Sequence, residues 1–236
     1  MEIVYPPVVG LAKMMFRVLD LKIEVHGAEH IPATGGAVLA SNHVSYLDFI
    51  FCGLGAQPAK RLVRFMAKKA VFKHKVSGPL MRGMHHIPVD RDAGSAAFQE
   101  AIAALRAGEV VGVFPEATIS ESFTVKELKS GAARLAYSAG VPLTPMAVWG
   151  PHRLWTKGRP KELTKRHVPV IIKIGEPIAT TDDADATTAE LRARLGELLD
   201  AAQRAYPEQP SGPEEMWWLP AHLGGTAPLP APIIPA

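Results

Sequence analysis

The chain has 236 residues, 47% of them apolar, with a net charge of +3 and a pI near 9.0. Those values suit one large domain or one domain plus small appendages, and the mild basicity fits an anionic small substrate or an anionic membrane surface. With 7% aromatic residues and no nucleic-acid motif, nothing favours a nucleic-acid partner, and the single cysteine, Cys52, excludes an intrachain disulfide and permits a reducing compartment.

The N-terminus lacks a signal-peptide layout. The apolar run from Val8 to Leu19 is broken by Lys13 and Arg17, so it falls short of the roughly 20 apolar residues of a spanning helix. Gly10, Lys13, Arg17 and Asp20 mark one narrow polar stripe on an otherwise apolar helix that begins near Pro6 and Pro7. Residues 1–20 therefore read as an amphipathic helix lying in a membrane interface, or else as a helix packed on the domain's own core.

Residues 21–206 alternate short β-rich runs with helix-like segments. Strands are expected at Lys22–Val25, Ala37–Ala40, Leu62–Met66, Ile87–Val89, Val110–Phe114, Leu143–Trp149 and Val168–Ile174. Helices are expected at Ser45–Leu54, at Lys69–Met84 around a break at Gly78-Pro79, at Ala96–Ala107 and at Ala132–Ala139. A last helix spans Ala189–Ala205, with Thr187 and Glu190 spaced as a capping box. The pattern predicts an α/β fold, a mostly parallel sheet flanked by helices. From residue 207 to 236 the composition shifts to Pro, Gly and small residues, which reads as an irregular tail in which Trp217 and Trp218 dock on the domain or the membrane.

The run Asn42-His43-Val44-Ser45-Tyr46-Leu47-Asp48 carries the first candidate chemistry. On a continuous helix, His43 and Asp48 would be rotated apart by about 140°. They meet only if His43 lies on the turn before the helix and Asp48 in its first turn; Ser45 is the N-cap candidate. Ser45-x-x-Asp48 equally reads as a plain capping pattern. In the functional reading, a neutral imidazole takes the proton of an attacking alcohol, and the carboxylate fixes the tautomer and stabilises the imidazolium. The acceptor hydroxyl is then the nucleophile.

Two further segments run out of strands into polar turns, where α/β folds place ligand groups. Glu116 follows Pro115 at the end of one. Arg91 ends the other, Ile87-Pro88-Val89-Asp90-Arg91, as a phosphate fork or a surface ion pair. His85 and His86 read as a turn pair or, with Asp90, as the His-His-x-x-x-Asp pattern of chloramphenicol-acetyltransferase-like enzymes; no third metal ligand stands at a recognisable spacing. Cys52, one turn after Asp48, reads as a buried apolar residue or a thioester nucleophile. The basic run Lys60, Arg61, Arg64, Lys68, Lys69, Lys73 and Lys75 reads as a solvated edge or a contact with anionic lipid.

The order and spacing of four segments resemble the glycerolipid acyltransferase family that includes the lysophosphatidate acyltransferases. Asn42 to Asp48 is similar to its first block and Gly83 to Arg91 to its second. Phe114-Pro115-Glu116-Ala117-Thr118 is similar to its third, and Val141 to Pro145 to its fourth. The resemblance covers roughly residues 20–180. It implies acyl transfer from acyl-CoA or acyl carrier protein, as co-substrate and with no further cofactor or metal, to the free hydroxyl of 1-acyl-glycerol 3-phosphate. Glycerol 3-phosphate or another lysophospholipid is the alternative acceptor, and a non-catalytic lipid-binding protein the alternative class. It also implies a peripheral site on the cytoplasmic face of a membrane. Carried over by position, His43 is the base and Asp48 its orienter, while Asn42, Arg91, Glu116 and Thr118 shape the substrate site. The third block departs from the family pattern: Ala117, Thr118 and Ile119 stand where Gly, Thr and Arg are usual. Lys126 or Lys129 is then expected to supply the missing positive charge.

Overall fold

A computed structural model describes residues 2–90 and 94–230. Helix α1 (Tyr5–Val18) opens the chain, followed by β1 (Lys22–His26), β2 (Ala37–Ser41), α2 (Asp48–Gly55) and β3 (Val63–Lys68). Two short helices, α3 (Lys69–Lys73) and α4 (Ser77–Gly83), lead to β4 (Ile87–Val89), α5 (Gly94–Arg106) and β5 (Val110–Val113). Then come α6 (Gly131–Ala139), β6 (Leu143–Trp149), β7 (Pro169–Ile174) and α7 (Ala184–Arg204).

The seven strands form one sheet in the order β1-β7-β6-β2-β5-β3-β4, parallel except where β6 meets β7. Runs such as Ala37–Ser41 and Val110–Val113 are apolar without alternation because both sheet faces are covered. The period of two still sorts the side chains. Val38, Ala40, Val111 and Ala147 point to one face, packed by α5, α6 and α7, while Leu39, Val110, Met146 and Val148 point to the other, packed by α1 and α2. A third cluster joins the start of α1 to α3 and α4 through Tyr5, Phe72, Met81 and Met84.

The chain leaving β2 runs through α2 on one face to β3, and the chain leaving β5 runs through α6 on the other face to β6. The two connections diverge at the carboxyl ends of the adjacent strands β2 and β5, the switch point at which α/β folds bind ligands. Gly112 leaves room on β5 for the Phe65 ring of β3: a Cβ there would meet that ring at 2.5 Å.

Several expected boundaries move. The Gly78-Pro79 pair does not break the helical segment; it lies in the first turn of α4, where a missing proline N–H costs little. The break falls at His74, whose Nδ1 accepts the N–H groups of Val76 and Ser77. Helix α7 starts five residues before the expected start at Ala189, and its cap is Asp183, not the Thr187–Glu190 box. Asp183 Oδ1 accepts the N–H of Asp185 (3.1 Å) and Ala186 (2.9 Å), while Thr187 turns its hydroxyl to the Asp183 carbonyl. The tail contains two short 3-10 turns, Pro213–Trp218 and Ala221–Leu223, and docks on the domain with Trp218 buried.

Candidate active site

Strand β2 ends at Ser41, and Asn42 extends it by one residue with its side chain. The amide donates to the Val148 carbonyl (3.1 Å) and accepts the Val148 N–H (2.7 Å), as a backbone pair would. Asn42 is fully buried, so it fixes where β2 releases the chain and has no face toward a ligand. The next residue, His43, retains 21% of its side-chain surface.

His43 Nδ1 lies 2.9 Å from Asp48 Oδ2. The same oxygen accepts the N–H of Val44 and of Ser45, each at 2.7 Å. An oxygen taking two N–H donors is an acceptor, so His43 carries its proton on Nδ1 and offers Nε2 as the basic atom. Asp48 is completely buried, and that burial pushes its carboxyl up, against His43 and the two N–H groups. Oδ1 has no hydrogen-bond partner among the described residues. Helix α2 begins at Asp48 itself, so Ser45 is not its N-cap. Ser45 instead accepts the Leu47 N–H (3.0 Å) and donates to the Trp155 carbonyl (2.7 Å), while the Asp48 carboxylate reaches back over the turn.

Beneath the imidazole, Phe114 stacks at a centroid distance of 4.4 Å, Phe65 stacks on Phe114 at 6.1 Å, and Phe49 meets Phe65 edge-on at 6.2 Å. These rings form an apolar floor beginning at His43. Beyond Phe114 the chain turns sharply: the Ala117 N–H bonds the Phe114 carbonyl, and Ala117 adopts φ +60°. A left-handed backbone costs a Cβ-bearing residue roughly 1–2 kcal/mol. That explains the glycine usual at this position in the resembling sequences.

Glu116 is buried inside this turn. Oε1 accepts the His43 N–H (2.7 Å) and Oε2 the Lys126 N–H (3.1 Å). Burial pushes its carboxyl up to about 7, against those two N–H bonds. Both oxygens are thus spent on backbone, and Glu116 is a strut between the His43 turn and the 116–126 loop. The Ser120 N–H bonds the His43 carbonyl at 2.7 Å and completes the grip.

Thr118 is exposed, and the Lys126 ammonium bonds its hydroxyl, also standing 3.5 Å from the Ile119 carbonyl. Ile119 is buried. Lys129 is exposed; its backbone N–H bonds the Pro115 carbonyl. Arg91 lies outside the described residues. The structure therefore brings together His43, Asp48, Glu116, Thr118 and Lys126.

The remaining candidates lie elsewhere or are spent. His86 is buried, its Nδ1 accepts the Phe65 N–H (3.0 Å), and burial holds its imidazole down at about 4, so it is not a paired base. His85 is exposed in a left-handed turn. A cavity of about 570 Å³ lined by Lys69, Lys73, Arg82, His85 and His86 opens there, but neither His43 nor Asp48 lines it. Burial pushes the Cys52 thiol up, which removes it as a nucleophile. No described cluster of His, Cys, Asp or Glu could hold a metal ion. Thr156 gave no signal in the sequence: its hydroxyl bonds the Val44 carbonyl (2.6 Å) across 112 residues.

Residues 22–149 match the family described as Acyltransferase. A 1-acyl-sn-glycerol-3-phosphate acyltransferase of Bacillus subtilis is 35% identical over 179 residues, covering 75% of this chain and 84% of that protein. One from Limnanthes alba is 32% identical over 166 residues, covering 69% of this chain and 56% of the plant protein, so the chain spans little more than half of that relative. Among solved structures, the 1-acyl-sn-glycerophosphate (LPA) acyltransferase PlsC of Thermotoga maritima superposes with a TM-score of 0.62 at 26% identity, covering 84% of this chain and 79% of that one.

Proposed function

The chain belongs to the acyltransferase family, and on that premise we propose that it transfers a fatty acyl group from a thioester donor to the free hydroxyl of 1-acyl-glycerol 3-phosphate, giving phosphatidate. The observation that carries the reading is the His43–Asp48 pair, with Nδ1 committed to the carboxylate and Nε2 left basic on a partly exposed ring. The acceptor hydroxyl gives its proton to Nε2 as its oxygen attacks the thioester carbonyl. Asp48 stabilises the imidazolium that forms. Collapse of the tetrahedral intermediate expels the thiolate, which takes the proton back from His43. The Phe114–Phe65–Phe49 floor suits an acyl chain, since each buried methylene contributes about 0.8 kcal/mol. Thr118, Lys126, Lys129 and Arg91 are the proposed partners of the acceptor phosphate, Lys126 standing in for the arginine absent at Ile119. The donor is acyl-CoA or acyl carrier protein.

Peripheral association with the cytoplasmic face of a membrane belongs to the same proposal. Among the described residues no helix is long and apolar enough to cross a membrane. Helix α1 buries Tyr5 and Phe16 against the domain and leaves Leu11, Met14 and Val18 exposed on the opposite face.

The test is acyl-CoA consumption with lysophosphatidate. His43→Ala is expected to lose at least about a hundredfold in kcat, the usual contribution of a general base. Full activity in that variant overturns the mechanism. Tight lysophosphatidate binding by the wild type, without turnover on it, glycerol 3-phosphate or other lysophospholipids, favours a lipid-binding protein.

A further inference from the structure

Two loops cup the His43 turn, and both are held from behind by the last part of the chain. The 116–126 loop is tied to α7: Gln203 donates to the Phe123 carbonyl (2.7 Å) and Arg192 to the Lys126 carbonyl (3.0 Å). The 150–156 loop leaves β6 at Gly150, whose φ of +114° and position, with a Cβ site only 2.1 Å from the Pro169 carbonyl oxygen, admit glycine alone. This loop donates the Thr156 hydroxyl to the Val44 carbonyl (2.6 Å), and its Trp155 carbonyl accepts the Tyr46 N–H (3.2 Å).

The C-terminal segment pins the 150–156 loop in turn. His152 Nε2 lies 3.1 Å from the Trp218 carbonyl; burial holds that imidazole down at about 3, so the ring is neutral, and because a carbonyl can only accept, Nε2 carries its proton. The buried Arg153 guanidinium lies 4.5 Å over the Trp218 ring, bonds the Tyr206 hydroxyl (3.2 Å) and pairs with Glu208.

The backbone of Val44 is therefore held on both sides of the residue, its N–H by Asp48 and its carbonyl by Thr156. We infer that Thr156 is a positioning residue for His43, and that residues 206–219 set its register through His152 and Arg153; the inference rests on the acyl-transfer reading above. Thr156 is buried and touches the turn, not the reacting atoms. Losing its hydroxyl frees the Val44 carbonyl, lets the turn drift and loosens the Val44 and Ser45 N–H bonds that orient Asp48. Small displacements of a catalytic group cost rate far more than binding.

The experiment compares Thr156→Val with Thr156→Ser in the full chain. Thr156→Val is expected to lower kcat about tenfold with both KM values within about twofold of wild type, and Thr156→Ser to restore kcat. Arg153→Met is expected to lower kcat by itself and to add nothing further to Thr156→Val, because the two act in series. Undiminished kcat in Thr156→Val, or independent additive losses in the double variant, overturns the inference. Amide exchange at Val44 and Ser45 gives a readout that needs no substrate. Faster exchange in Thr156→Val, reversed by serine, supports the inference, and unchanged exchange refutes it. If the wild type acylates no lysophospholipid, the acyl-transfer reading fails, and exchange alone decides the positioning role.

Discussion

At the residue scale, Glu116 ties protonation to the shape of the site. Its carboxyl ordinarily ionises near 4.5 and is pushed up to about 7 by burial. In the folded protein it binds a proton more tightly than in the unfolded chain, so its contribution to stability is present below about pH 4.5. That contribution is lost as pH rises to about 7 and then stays constant. Ionisation nevertheless provides the oxygens that best accept the His43 and Lys126 N–H groups. Glu116→Gln keeps the size but turns an NH2 toward one of those N–H groups. The urea-derived stability of wild type is expected to fall between pH 5 and pH 7.5, relative to Glu116→Gln, by roughly 2–3 kcal/mol, while the variant loses kcat at neutral pH. An identical pH dependence in the two proteins sinks the assignment. This role was beyond sequence reading: Glu116 stands out by following Pro115 at a strand end, but its partner His43 lies 73 residues away. Asn42 is similar, because the Val148 backbone it bonds belongs to a strand whose position beside β2 no local pattern states. The His43–Asp48 pair was legible as a candidate because both members lie five residues apart in one run, where they can meet only if a turn precedes the helix.

At the element scale, strands and helices were legible wherever burial imposes a period, and their ends were not. Helix α7 shows why. Its apolar positions Leu191 and Leu195 mark the buried face, but the first turn offers only the small Ala184 and the polar Thr187 to the core, and its start is set by Asp183. Thr187 and Glu190 share the spacing of a capping box and have a helical backbone all the same, since the competing cap four residues earlier satisfies Asp185 and Ala186. Asp183→Ala is expected to cost about 1 kcal/mol in chemical denaturation. kcat is expected to hold, because Gln203 and Arg192, which tie α7 to the active-site loop, lie beyond the first turn. A loss of kcat matching the loss of stability contradicts the idea that the α7 start is purely structural. The α3–α4 break was misplaced for the opposite reason. Gly78-Pro79 is a strong breaker signal inside a helix, but in a first turn its missing N–H has no helical partner to lose.

At the scale of the whole molecule, the surface divides around α1. The helix uses a narrow face, Tyr5 and Phe16, to hold the domain, and the apolar packing of Tyr5 with Phe72, Met81 and Met84 sets it beside α3 and α4. These helices and the link between them carry exposed apolar residues, Val71, Val76 and Leu80, among the exposed Lys69, Lys73 and Lys75. Leu11, Met14 and Val18 on α1 are 61%, 58% and 61% exposed, more than solvation of a terminal helix calls for. Apolar side chains between basic ones suit an anionic bilayer surface, into which the first sink and to which the second are drawn. Burying a leucine-sized side chain is worth about 1.5–3 kcal/mol. The double variant Leu11→Asp with Met14→Asp should therefore bind vesicles of phosphatidylcholine and phosphatidylglycerol about a hundredfold more weakly than wild type in sedimentation. Neither side chain holds the domain, so thermal stability and turnover of a dispersed short-chain acceptor are expected to persist. Salt weakens only the lysine share, because screening acts on charges at a surface and leaves apolar insertion intact. Equal vesicle binding by wild type and the double variant would place the apolar face of α1 against something other than lipid. Loss of turnover on the dispersed acceptor would mean that α1 reaches the active site through its exposed face, contrary to the packing of Tyr5 and Phe16.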